Sequence, residues 1–163
     1  MPQPPFGISG AMAVDGKRQD VSVEKATEFI LDECRMVLPG VQAIFGFQLI
    51  AVFNQGFDEK LSDGEQLLHL GALLLVAIAV ALVMAPAALH RVSEPQSVSE
   101  RFISLASNLL LASMFPLALG LCLDVYLVSS IIIGRDAPGL LIAIALLALF
   151  FFLWIFLPGR ERR

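Results

Sequence analysis

LLIAIALLALFFFLWIFL, residues 140–157, runs for 18 positions without a charge, and the Trp154 indole is its one polar side chain. Wound as a helix at about 1.5 Å per residue, it extends about 27 Å, close to the thickness of a bilayer's hydrocarbon core. It has no polar face to turn toward water, so it reads as a lipid-facing membrane helix, with Trp154 in the interfacial belt just before Pro158. With 57% hydrophobic residues and a strongly positive mean hydropathy, a 163-residue chain carries more apolar side chain than one soluble core can hide. The class is an integral membrane protein.

Three further runs meet the same length requirement: residues 36–53, 67–89 and 102–133. No stretch alternates in the manner of a barrel strand, so the expected fold is all-α: a polytopic bundle with four transmembrane helices. Helix starts are marked by Ser62 with Glu65 and by Ser97 with Glu100, both in capping-box spacing, and by Asp136 with Pro138. The third run would measure about 48 Å as a straight helix, so it must tilt, protrude or bend, with Pro116 the expected bend. Residues 1–20 are rich in proline and glycine and lack a signal-peptide core; they read as a retained, loose tail, and residues 158–163 as a short basic tail.

The 11 basic and 15 acidic residues lie almost wholly outside the apolar runs, so the net charge of -4 describes the wetted ends and points to no nucleic-acid partner. With both termini in the cytoplasm, Lys17, Arg18, Lys25, Arg35, Arg91, Arg101, Arg160, Arg162 and Arg163 fall on the inner side, and only Lys60 and Arg135 on the outer side. That asymmetry follows the positive-inside rule. Cys34 and Cys122 are expected as free thiols.

The first run departs from a plain anchor. Residues 21–35 have helical periodicity, with Val23, Ala26, Ile30, Cys34 and Val37 on one face and Glu24, Glu28, Asp32 and Arg35 on the other, which predicts an amphipathic cytoplasmic helix leading into the membrane. Continued at the same phase, the polar face passes through Pro39, Gln42 and Gly46, while Gln48 projects about 120° away, toward another helix of the same subunit. An amide in hydrocarbon needs a hydrogen-bond partner or water. Two readings stay open: a seam between subunits, with Gly46 allowing close backbone approach, or the wall of an ion path lined by Gln42, Gly46 and Gln48, with Glu28, Asp32 and Arg35 at its inner mouth.

Asp124 is the one carboxylate inside an apolar run, and is either an ion or proton site or a hydrogen-bonded structural group. Ser113 and Gly120 share its face and Asn108 points away. His69, near the outer end of the second run, is a candidate pH sensor, since imidazole ordinarily titrates near neutrality. His90 marks that helix's inner end, too far from His69 to share a metal. Ala77, Ala81, Ala85 and Ala88 form a small-residue stripe suited to helix contact. No catalytic constellation, metal-ligand cluster or cofactor motif is present in the sequence, so no enzyme activity, metal or cofactor is expected.

ECRMVLPGVQAIFGFQLIAVFNQGF (residues 33–57), His69–Leu70 and APAALHR (residues 85–91) resemble an uncharacterised bacterial family of small four-helix membrane proteins, domain of unknown function 6328. The resemblance spans roughly residues 24–157, with LPGVQ its most specific part. It implies a bacterial source and the cytoplasmic membrane, and brings no activity to any residue. The functional expectation is a homo-oligomer, because four helices enclose little room for a hydrated path, passing a small ion, a cation or proton. The rival expectation is a non-transporting scaffold or accessory subunit that binds a partner membrane protein.

Overall fold

The computed structural model describes residues 22–93 and 99–161; the expected N-terminal tail, Ser97 and the last two arginines lie outside them. The described residues form helices α1 (Val23–Val52), α2 (Phe57–Lys60), α3 (Asp63–Ser93), α4 (Glu100–Ile133) and α5 (Asp136–Phe151). A π-helical turn (Phe152–Phe156) and a short α6 (Leu157–Glu161) continue α5. Among the described residues, four helical stretches are long and apolar enough to cross a membrane: Val23–Val52, Asp63–Val92, Glu100–Ile133 and Asp136–Arg160. The fold is an all-α, multi-pass membrane protein.

Residues 21–35 do not form a helix of their own: from Val23 they are the first turns of α1, which runs unbroken through Pro39 to Val52. Ser22 caps it, its hydroxyl accepting from the Lys25 N–H at 3.4 Å. At α3, Glu65 reaches back to accept from both the Ser62 N–H (2.8 Å) and the Ser62 hydroxyl (2.7 Å). The α4 cap is Ser99: its hydroxyl accepts from the Phe102 N–H at 3.2 Å, so the helix begins at Glu100. α4 ends at Gly134, whose φ of 68° is the left-handed turn that glycine adopts without strain, its N–H donating to the Ser130 carbonyl at 2.8 Å. Pro116 lies inside α4 and does not end it.

Consecutive spans run in opposite directions. α3 packs chiefly against α4, α1 lies against α3 and to a lesser extent α4, and α5 packs on α4. The buried positions repeat every seven residues: Thr27, Cys34, Val41 and Gln48 on α1, and Ala106, Ser113, Gly120 and Leu127 on α4. On α3 they step by three and four through His69, Ala72, Val76, Ala79, Val83 and Pro86. A 3.5-residue period is that of left-handed, knobs-into-holes helix packing, which small residues tighten in membranes. The expected alanine stripe is not that seam, since Ala81 and Ala88 are exposed. A core of Ile30, Cys34, Val83, Phe102 and Ala106 closes the end that holds the termini.

Two glycines set the closest approaches. A Cβ at Gly120 would lie 2.9 Å from Val76 Cγ2 and 3.0 Å from the Ala72 carbonyl oxygen, so α3 and α4 meet backbone to backbone there. A Cβ at Gly139 would lie 2.5 Å from Ser130 Oγ and 3.1 Å from Ser130 N, which fixes α5 onto α4. α5 is otherwise bare. Only 6% of its span window is buried, against 28% for α3 and α4, as the uniformly apolar 140–157 run requires of a lipid-facing helix. Near its end Pro158 has no N–H to give the Trp154 carbonyl, and the chain widens into the π turn just before it, the Leu157 N–H reaching back to the Phe152 carbonyl.

Candidate functional site

Three polar side chains from three helices meet between α1, α3 and α4. Gln48 lies four residues before the end of α1, His69 six residues into α3 and Asp124 nine residues before the end of α4. At about 1.5 Å per residue they sit roughly 6, 9 and 13 Å from the ends of their helices, all at the face of the bundle opposite the chain termini. The register is set by packing. Gln48 continues the Thr27–Cys34–Val41 seam, His69 opens the Ala72–Val76 seam, and Asp124 lies one turn beyond Gly120, where α4 approaches α3 most closely.

The Gln48 amide nitrogen donates to Asp124 Oδ2 at 2.5 Å. His69 Nδ1 stands 3.3 Å from Asp124 Oδ1, and His69 Nε2 stands 3.0 Å from the Gln48 backbone carbonyl oxygen. A carbonyl oxygen can only accept, so the 3.0 Å contact assigns a hydrogen to Nε2. Nδ1 then carries a hydrogen only if the imidazole is cationic. The Nδ1···Oδ1 pair therefore has room for one proton in two arrangements: carboxylic acid beside neutral imidazole, or carboxylate beside imidazolium. Both are neutral overall, which avoids leaving a lone charge in a low-dielectric site. Asp124 Oδ1 and Gln48 Oε1 are buried and otherwise have no hydrogen-bond partner among the described residues. The Phe57 ring, from the short helix α2, meets the His69 ring edge-on with centroids 5.4 Å apart and covers it on that side.

A family model matches residues 18–158. The chain belongs to the family of unknown function DUF6328. Neither a curated protein nor a solved structure matches it.

In this DUF6328 protein the sequence-singled residues divide into two groups. Gln48, His69 and Asp124 come together inside the bundle. Gln42 and Pro39 are exposed on the far side of α1, and Gly46 is half-buried with open space where a Cβ would stand, so within one chain no backbone approaches it. Gln42 and Gln48 thus lie on different faces. Glu28, Asp32 and Arg35 are exposed on the first turns of α1, ahead of the apolar run 36–53, where Arg35 pairs with Asp32 at 3.1 Å. On α4, Ser113 and Gly120 are buried and Asn108 is exposed. His90 lies at the opposite end of α3 from His69, its ring tilted against Phe102 at 5.6 Å.

The meeting of Gln48, His69 and Asp124 is the feature the sequence reading missed. Its signal was present as three polar residues, each inside a different apolar run. No group of three metal-ligating side chains occurs among the described residues.

Proposed function

We propose that this protein passes protons, or a small ion in exchange for them, across the bacterial cytoplasmic membrane, with Asp124 and His69 as the proton site and both termini in the cytoplasm. The observation that supports this reading is the approach of His69 Nδ1 to Asp124 Oδ1, 3.3 Å apart within the apolar bundle. Transfer of the carboxylic proton from Oδ1 to Nδ1 breaks one O–H bond and forms one N–H bond. Gln48 donates to Oδ2 before and after, so the carboxyl group stays in place while its charge changes. A proton arriving from the outer face would meet His69 first, beneath Phe57.

Self-association completes the reading. The Gln42 amide projects from the membrane part of α1 with nothing of its own chain over it, and in hydrocarbon it needs a polar partner or water. A second copy laid on the Pro39–Gln42–Gly46 face supplies the partner and walls off a polar strip that starts at Glu28 and Asp32. The scaffold alternative uses that same exposed face for a different membrane protein.

The discriminating experiment reconstitutes purified protein into liposomes containing a pH-sensitive dye and imposes a potential or a pH step. Wild type should dissipate the step and Asp124→Asn should not. No flux from correctly folded wild type under any gradient, with retained binding to a partner, would leave the scaffold as the function.

A further inference from the structure

We propose that the groove between α1 and α3 at the terminus-bearing end of the bundle is a binding site for an anionic phospholipid. The groove has an apolar wall, including Leu38, Val83 and Met84, and a rim formed by Arg35, His90 and Arg91. These basic residues stand where the apolar runs begin: Arg35 directly precedes Met36 on α1, and His90 and Arg91 directly follow Leu89 on α3. Arg101, immediately before Phe102 on α4, marks the same level, and Phe102 packs on the His90 ring. A phospholipid has its phosphate at this boundary and its acyl chains on the apolar side of it, so one molecule matches both halves of the groove.

The charge at the rim is available. Among the described residues Arg35 is held only by Asp32, in a pair whose side chains are 81% and 61% exposed, and exposed pairs of this kind exchange readily for a better partner. The Arg91 side chain makes no hydrogen bond or ion pair among the described residues. His90 Nδ1 is sealed without a partner, so the ring is already desolvated on that side. Two guanidinium groups flanking one groove suit a phosphate, which accepts paired N–H donors. The acids on α1, Glu24, Glu28, Asp32 and Glu33, are exposed and precede Arg35 on the first turns of the helix, and none of them lines the groove.

The test uses the full chain purified in a mild detergent, with bound lipid counted by native mass spectrometry after addition of phosphatidylglycerol or phosphatidylcholine. Wild type should retain phosphatidylglycerol in preference, and the double variant Arg35→Gln/Arg91→Gln should lose about thirtyfold in that affinity, taking each arginine near an anionic headgroup at about fivefold. Arg35→Lys/Arg91→Lys should keep most of it, and Arg135→Gln, at the other end of the bundle, should keep all of it. Equal retention of the two lipids by wild type would overturn the proposal without reference to any variant. So would displacement of the lipid by millimolar inorganic phosphate, which would make the groove a site for free anions.

Discussion

Replacing Gly120 by alanine should destabilise the bundle and disturb the buried cluster together. The added methyl would lie 2.9 Å from Val76 Cγ2 and 3.0 Å from the Ala72 carbonyl oxygen, whereas carbon contacts settle at about 3.5–4.0 Å, so α3 and α4 must separate locally by roughly 0.5–1 Å. One of the two obstacles is backbone and cannot rotate away. Overpacking of this kind costs about 1–3 kcal/mol, and a gap of that size forfeits about a quarter to a half of the dispersion attraction between the facing atoms. Asp124 is one turn beyond Gly120 and His69 one turn before Ala72, so the same displacement opens the 3.3 Å Nδ1···Oδ1 contact. Gly46→Ala is the matched control: nothing lies within 4 Å of its added methyl, and alanine is favoured over glycine in a helix by about 1 kcal/mol. Reversible unfolding in mixed micelles with increasing denaturing detergent reads both variants. Gly120→Ala as stable as wild type, or less stable by no more than Gly46→Ala, would refute the close-packing argument.

Gly139→Ala should free α5 from α4, because the methyl would lie 2.5 Å from Ser130 Oγ with backbone atoms of Ser130 and Tyr126 close behind, and proteolysis or disulfide trapping between the two helices would report it. Gln48→Leu removes the donor to Asp124 Oδ2 and should lower stability by about 1–2 kcal/mol in the same micelle assay, with proton flux falling as the carboxyl loses its anchor. Gln42→Leu should leave the stability of the single chain unchanged, since the side chain is exposed, and should alter only the subunit count measured by crosslinking in bilayers.

The helices were legible because the bilayer imposes a length and an apolarity that residues 140–157 meet without ambiguity, and because α4 follows its sequence phase closely enough to bury Ser113 and Gly120 and expose Asn108. The seam of α3 was not. Alanines at 77, 81, 85 and 88 suggest a packing stripe by size, but contact depends on which face the neighbouring helix takes, and the 3.5-residue steps from His69 to Pro86 settle that only once α1 and α4 are in place. The same limit hid the cluster. Asp124 was conspicuous as a carboxylate in hydrocarbon, but its depth depended on where α4 ends, which Gly134 fixes, and its partners lie 76 and 55 positions away in the chain. Ser97 and Ser99 both precede helix-forming residues, and only the observed bond to the Phe102 N–H separates them.

The most direct measurement is nitrogen NMR of His69 in lipid bilayers, with Asp124→Asn alongside. The account requires Nε2 to carry a hydrogen, held by the Gln48 carbonyl, and the Nδ1 signal to change when Asp124 is replaced. A neutral ring with its hydrogen on Nδ1 and a bare Nε2, or a His69 signal indifferent to Asp124→Asn, would contradict it.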